Sequence, residues 1–578
     1  MNTLLGVLGV ALAWVFYGAT LAGLGALFLR LIYRARLLSF CCCFWIGLAL
    51  LVTALQIVNL FCGINLFVVR SICFLGLLSF WLFRVRLDVT FWTRLKLWHK
   101  FLAVLAILWI ADRSLAVPSV YDSGLYHFNS LRWAAEYPLP PGLGNLHGRL
   151  AFNQSYFLFV SFVNLLPKRG DGHGFANSLL LVFTFITILE KGSESTSDRA
   201  KRAVFLLLGP LLFFFALLFN QTFEPGISSP SPDVAMLCLQ LTMFSLALAA
   251  CDPNSSEVKG RQNIEITGIL LLSGLAVTFK LSLIVFSVGV ASFAIAVYVS
   301  SAERKDALRC ILSSLVTLLI LSITWVARSV IASGYLIYPL AVTACPASWK
   351  VPPDDVREEA NWIFSWAREP GVHWSKVLGD WSWFWPWFTR VTGRPDVITA
   401  LYLLGFAALL LVVLIVMSPN ETAKRLRKCG HFSALGGVCI AALCFWFLSA
   451  PDPRFLGAVF PLLSLCLLGM VLKVTESNLG FSLLVTIATV IFGFGYYLAL
   501  DANGLGLIEL KKRQIGSRIP VCELVPKVTD SGLRVWVPVA SDQTWDAPLP
   551  ATPYFRRDLR LRGNDLPSGF CRGARSKD

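Results

Sequence analysis

The sequence predicts an all-α polytopic membrane protein of about fourteen transmembrane helices, and three observations carry that fold class. The first is composition: of 578 residues 56% are hydrophobic and only 15% charged, which leaves too little polar surface to cover a soluble domain. The second is block length: apolar runs such as Leu4 to Leu29, Ile311 to Val326 and Leu401 to Met417 come close to the ~20 residues a helix needs to cross a hydrocarbon core. The third is the alternation of positive charge between successive loops. Glycines, prolines and polar clusters interrupt the blocks irregularly, which excludes the ten-residue alternation of an outer-membrane barrel.

The spans are centred near residues 16, 50, 74, 108, 181, 211, 242, 271, 291, 319, 408, 441, 463 and 489. Seven alternate loops (30 to 36, 84 to 100, 189 to 202, 252 to 263, 301 to 309, 419 to 431 and 471 to 477) hold 22 of the 50 Lys and Arg. The short loops between them, 62 to 66, 220 to 232 and 451 to 453, hold none. By the positive-inside rule the basic set is cytoplasmic, so both termini and every long loop are expected outside. Met1 to Gly6 lacks the basic region of a cleavable signal, and the first helix is read as retained. The net charge of +16 is therefore a topology signal and not a nucleic-acid footprint; membrane lipids are the expected partners of the basic loops.

Three units follow: N-terminal transmembrane helices over 1–100; a transmembrane core over 101–499 with long outward loops 117–174 and 328–396 carrying loop helices; and a C-terminal outward cap over 500–578, read as small and α/β from its proline-rich, mixed composition. Most of the fifteen cysteines fall in or near spans, where a thiol is a small apolar filler. Cys522 and Cys571 are placed to staple the cap, a bond the sequence leaves open.

Polar chemistry gathers in the outward loops, which hold four of the six histidines: His127, His147, His173 and His373. In the stretch from Tyr121, Asp122 and Ser123 look like the cap of an amphipathic helix lying on the membrane surface and ending before Pro138, with Tyr126, His127, Ser130 and Trp133 about a turn apart. A Pro-Pro-Gly-Leu-Gly run then presents Asn145, His147, Arg149 and Asn153 on a tight loop. Asp122 has two readings: a helix cap only, or a carboxylate partly desolvated at the bilayer edge and able to take a proton from a hydroxyl. His127 and His147 are open between structural imidazole and catalytic or substrate contact. Asp233, after Gly226-Ile-Ser-Ser-Pro-Ser-Pro, starts the next span and is either its cap or a second acid. Lys280 sits in an apolar hairpin, and Arg328 and Arg454 at outward ends of spans. Cations there are costly unless paired or snorkelled, and their common use is to hold phosphate. The aromatic run Trp374, Trp381, Trp383, Phe384, Trp385, Trp387 reads as an interfacial belt or as a platform for sugar rings. No zinc spacing is present.

An outward loop containing Asp122, the Thr278-Phe-Lys280 hairpin and Arg454-Phe455 with Pro461 resemble the GT-C superfamily of polytopic membrane glycosyltransferases. The runs Tyr121 to Asn153, Arg328 to Pro339, Asp452 to Phe455 and Trp545 to Tyr554 are similar to a bacterial family of polytopic proteins without assigned function. The resemblance implies a glycosyltransferase of the bacterial inner membrane, its site facing the periplasm, that passes a sugar from a polyprenyl-phosphate donor to a glycan, lipid or protein acceptor of the cell envelope. It implies Asp122 as base, with Asp233 and His127 as further catalytic candidates. Lys280, Arg328 and Arg454 would hold the donor phosphate, and Tyr126, His147, Arg149, Asn153, Tyr335 and Trp381 would contact substrate. The acidic loop here follows about the fourth span and not the first, and the superfamily's frequent Asp-Glu pair is Asp122-Ser123. The sequence fixes no cofactor and leaves a metal requirement open, a divalent cation being the one candidate. The competing readings are an O-antigen-type polymerase or ligase, which would release a lipid diphosphate, and a lipid-glycan flippase or transporter, which should show broken spans and polar midplane residues.

Overall fold

The computed structural model describes residues 2–33, 39–85, 92–93, 95–166, 170, 172–194, 198–218, 226–251, 259–301, 304–475, 487 and 519–573. In chain order the helices are α1 (Asn2–Tyr33), α2 (Phe40–Val58), α3 (Leu66–Leu82), α4 (Leu97–Ser114), α5 (Phe128–Glu136), α6 (Tyr156–Val163), α7 (His173–Glu194), α8 (Arg199–Leu218), α9 (Pro232–Ala250), α10 (Lys259–Phe279), α11 (Ile284–Ser301), α12 (Arg304–Ser333), α13 (Pro353–Arg368), α14 (Trp374–Val377), α15 (Phe384–Thr392), α16 (Pro395–Met417), α17 (Pro419–Leu426), α18 (Gly430–Ser449) and α19 (Val459–Thr475). Nine candidate spans among the described residues are long and apolar enough to cross a membrane: α1, α2, α7, α9, α10, α11, α12, α16 and the continuous run Pro419–Ser449.

Nine of the fourteen expected spans thus coincide with such helices. Those expected near 74 and 463 are the 17-residue helices α3 and α19, and those near 108 and 211 are α4 and α8. The span expected near 489 lies outside the described residues, as do most of loop 252 to 263 and residues 500–518 of the tail.

Burial sorts the helices. In α9 94% of the apolar window is buried, whereas in α16 only 17% is; α9 is the centre of the bundle, packed on α7, α10 and α11, and α16 lies at its margin. On α12 the exposed side chains Leu308, Leu312, Leu315, Val316, Leu319, Ile320 and Ile323 recur at helical spacing, an exposed apolar stripe of the kind a lipid-facing helix presents. Small residues bring α1 and α2 together: a Cβ at Gly47 would lie 1.8 Å from the Leu21 carbonyl oxygen, and one at Gly25 1.9 Å from that of Cys43. Only glycine permits that backbone approach.

The tail forms two antiparallel pairs, β1 (Leu524–Val528) with β2 (Arg534–Pro538) and β3 (Leu559–Leu561) with β4 (Phe570–Arg572). Its described residues, 519–573, contain strands and no α-helix, so they carry only the β part of the expected α/β cap. Pro520, Pro526, Pro538, Pro548, Pro550, Pro553 and Pro567 explain this, since proline is excluded from helix interiors. Cys522 and Cys571 are both free thiols, so the staple is absent.

The tail sits directly on the 117–174 loop. Thr544 N and Trp545 N both donate to Gly124 O at 2.8 Å, and Phe570 N donates to Pro141 O at 2.8 Å. Any side chain at Gly124 would strike the Trp545 ring.

Candidate functional site

Residues from six separate stretches of sequence meet at one end of the bundle in an alternating chain of charge. Arg149 Nη1 lies 3.2 Å from Asp122 Oδ1 and its Nε 3.6 Å from Glu359 Oε1. Arg454 Nη1 lies 2.9 Å from the other oxygen of Asp122, and its Nε 3.7 Å from Asp233 Oδ2. Lys280 Nζ closes the series on Asp233 Oδ1. Three carboxylates and three cations therefore alternate from Glu359 to Lys280, and the series is neutral. Asp122 is 8% exposed and Asp233 4%. At that depth an unpaired charge is prohibitive, so these two carboxylates each take two cationic partners, Glu359 at the end of the series taking one.

Local structure explains how each group arrives. Residues Ser123–His127 form a single π-helical turn, Phe128 N donating to Ser123 O, before α5 begins. Such wide turns shift the side-chain register and recur at functional sites. Asp122 caps nothing: its side chain makes no backbone hydrogen bond and goes instead to the two guanidiniums. The expected surface helix is also corrected. Ser123 through Asn129 are all buried, because the tail covers them, with Trp545 against Phe128 at 6.0 Å between ring centres.

Asp233 likewise does not cap α9. Ser231 does, its Oγ accepting from Asp233 N at 3.4 Å, with Pro232 at the first helical position where its missing N–H costs nothing. The Asp233 carboxylate is left for Lys280 and Arg454. Lys280 breaks the helix in extended conformation (φ −156°) just after Phe279, so its side chain leaves the axis of α10. The Arg454 turn, Pro453–Phe455, is capped by Asp452, whose Oδ1 accepts from Arg454 N at 2.9 Å. Gln240 of α9 pins the following residues: its Oε1 accepts from Ala458 N at 2.7 Å and its Nε2 donates to Leu456 O at 3.1 Å. One helix thus positions both Asp233 and the arginine opposite it. The Phe455 ring lies under both cations, 4.6 Å from Lys280 Nζ and 5.2 Å from Arg454 Cζ, a favourable contact with the ring quadrupole.

The electrostatics follow. Burial alone would raise the Asp122 carboxyl, but the Arg454 and Arg149 guanidiniums outweigh it and hold it well below the usual carboxylate range. Burial pushes the His127 imidazole down to about 4, against the pull of Asp122 and Asp233. Burial, with Arg149 and Arg556, takes His147 down to about 3. Both rings are therefore neutral at physiological pH. His127 Nδ1 meets Ser123 Oγ at 3.1 Å, and His147 packs edge-on against Tyr554 at 5.4 Å.

Of the expected site residues, the fold brings together Asp122, Asp233, Lys280, Arg454 and Arg149, with Tyr126 beneath Arg149 at 5.9 Å and His127 adjacent to it. Arg328 departs from the expected phosphate trio. Its Nη1 donates to Asn59 Oδ1 at 3.1 Å, and it lines a separate small cavity of about 50 Å³ together with Asn59, Trp133, Arg149, Asn153 and Gln154. Arg149 borders both places, since it also holds Asp122. Asn153 is structural: in left-handed conformation (φ 51°), it exchanges hydrogen bonds with the Trp325 carbonyl and indole at 2.7 and 2.9 Å. The Tyr335 hydroxyl donates to Val351 O at 2.8 Å, and Trp381 stacks on Trp383 and Phe447; neither belongs to the charge chain. Glu359 and Asn59 escaped the sequence reading. Glu359 is one of several acids on α13 and carried no distinguishing mark, whereas Asn59, a polar residue ending the apolar α2, is the kind of signal that marks a functional position. Among the described residues no set of three or more His, Cys, Asp or Glu is grouped to hold a metal ion.

The fold and this charge chain define a multi-pass helical membrane protein with a buried acid–base cluster at one end of its bundle. The chain belongs to a family described as a domain of unknown function, DUF8201, whose model matches residues 8–461. That match takes in every member of the charge chain and stops short of the tail. No curated protein and no solved structure matches the chain.

Proposed function

We propose that this protein is a membrane glycosyltransferase that moves a sugar from a polyprenyl-phosphate donor to a cell-envelope acceptor at the outer face of the bacterial inner membrane, with Asp122 as general base. The observation that carries this reading is the sharing of Arg454 between Asp122 and Asp233, with Lys280 completing the set. A carboxylate for proton abstraction and cations for a departing phosphate stand within one contact of each other, as glycosyl transfer from a lipid phosphate requires.

The step balances as follows. The acceptor O–H bond breaks, its proton passing to an Asp122 oxygen, while the acceptor oxygen bonds to the anomeric carbon. The bond from that carbon to the phosphate oxygen breaks, and its electron pair stays with the lipid phosphate beside Arg454 and Lys280. With two guanidiniums on it, Asp122 is a weak base at rest. A phosphate that draws Arg454 to itself removes one of these and restores basicity when donor is bound. Asp233 keeps Lys280 and Arg454 placed.

The test uses purified protein in proteoliposomes with polyprenyl-phosphate sugars and envelope acceptors, following free polyprenyl phosphate. Asp122→Asn should reduce transfer by about 10²-fold or more while melting like a folded protein. Transfer undiminished in that variant removes Asp122 from its role; release of a lipid diphosphate would favour a polymerase or ligase.

A further inference from the structure

The aromatic run around α15, open in sequence between a membrane belt and a platform for sugar rings, is sorted by the fold into two faces. On the inner face Trp383 and Trp387 are 5% and 7% exposed and pack on Trp446 and Phe447 of α18, with ring centres 5.4 to 6.1 Å apart. Trp381, Trp385 and Phe388 are instead 64%, 69% and 41% exposed. They recur at the four- and three-residue spacing that gathers side chains on one side of a helix, and Phe384 N, donating to Trp381 O at 3.0 Å, joins Trp381 to the helix start. A sugar ring has no room on the inner face, where the rings are covered and the Trp387 indole N–H already donates to Pro451 O at 2.5 Å.

The place of the outer face in the bundle names what covers it. Only Gly393 and Arg394 separate α15 from α16, the span with least of its apolar window buried, 17%. The helix on which the inner face packs, α18, ends at Ser449 with Leu448 71% exposed. The three exposed rings therefore stand where two spans end, and the surface they form continues the lipid-facing surface of α16. Tryptophan favours that depth, with its ring against the acyl chains and its N–H toward water, and an exposed aromatic cluster of this kind marks a contact surface.

The inner face is tied to the charge chain. Arg390 Nη1 donates to Asp452 Oδ2 at 3.4 Å, and the other Asp452 oxygen accepts from Arg454 N at 2.9 Å. Trp446 Nε1 donates to Asp452 O at 2.7 Å, so α15 and α18 grip the same turn. We propose that the outer face of α15, with Trp381, is seated in the phospholipid interface of the bilayer, and that through Trp387 and Arg390 the docked helix fixes the depth of the Arg454 turn. Docking stands by itself; only its use in catalysis, holding Arg454 level with the phosphate of a lipid-borne donor, rests on the sugar-transfer reading.

The experiment places the full chain in phosphatidylcholine liposomes doped with a phosphatidylcholine that carries a diazirine near the head of one acyl chain. After illumination and trypsin, the peptide 377–390, bounded by Lys376 and Arg390, should carry lipid adducts, as the peptide containing α16 does. Trp385→Ser combined with Phe388→Ser, both at exposed positions, should cut the adduct on 377–390 by more than half and leave α16 labelled. Hydrogen exchange of that double variant in liposomes should be several-fold faster than wild type at the amides of Arg454 and Phe455, because the turn loses its anchored support. A bare 377–390 beside a labelled α16, or an undiminished adduct in the double variant, overturns the docking; unchanged exchange overturns the hold on Arg454. Adducts alongside a failed transfer assay would retain the docked helix and sink the transferase, and transfer by a protein without adducts would do the reverse.

Discussion

The pairing of Asp122 with Arg454 can be measured without knowing a substrate, through a double-mutant cycle of Asp122→Asn, Arg454→Met and their combination. At 2.9 Å and an effective dielectric of about 20, the bare Coulomb attraction is roughly 6 kcal/mol. The Arg454 side chain is 32% exposed, so solvent screening reduces the net coupling to about 2–3 kcal/mol. Each single change leaves its former partner one remaining contact, Asp122 with Arg149 and Arg454 with Asp233. Neither charge is then stranded, and the coupling should be cleanly separable from it. Reversible unfolding in mixed micelles of rising SDS content would read the four stabilities. Coupling below about 0.5 kcal/mol, the level of unconnected sites, would refute the charge chain as described.

Asn59→Leu should cost about 2–4 kcal/mol in the same unfolding assay, because it strips the side-chain donor from the Cys62 and Tyr137 carbonyls and the acceptor from Arg328 Nη1, while Ala134 O keeps Ile64 N. Gly47→Ala should destabilise by about 2 kcal/mol or more, since its Cβ would sit 1.8 Å from the Leu21 carbonyl; a melting temperature equal to wild type would contradict the α1–α2 contact. His147 has a folded value of about 3 against an ordinary 6.5, so between those values the unfolded chain takes up a proton that the folded chain refuses, and stability falls as pH falls across that window. His147→Phe should flatten that part of the stability–pH curve. Asp122 acts at lower pH: its depressed value makes its stabilisation complete above the ordinary value of 3.8 and lost as pH falls below it. Asp122→Asn should therefore remove part of the acid-induced loss at the low end of that curve.

Much of the helical architecture was legible because transmembrane helices declare themselves by length and apolarity alone, as α9, α12 and α16 do. The charge chain was legible in its members: Asp122, Asp233, Lys280 and Arg454 stand out as ionisable groups at ends of apolar runs. Its wiring was not. Pairing depends on side-chain placement across four loops, and of the residues that fix Arg454 the sequence shows Gln240 only as a polar residue inside an apolar helix and Asp452 only as an ordinary cap. Arg328 was misplaced for the same reason. A cation at the end of a span invites phosphate wherever it lies, and only the packing of α2 against α12 separates it from the others. In the tail the composition, a mixture of charge and proline, suggested helices and strands together, and over 519–573 the prolines leave strands and turns.

The carbonyl of Gly124 is held by amides of Thr544 and Trp545, more than four hundred positions downstream. A ribosome has emitted some four hundred further residues before those amides exist, so the turn bearing Asp122 can reach its final form only after residue 545 has been made. Maturation of this centre is thereby tied to synthesis of the segment around residue 545, and a product stopped short of residue 544 would insert its helices yet leave that turn unfastened.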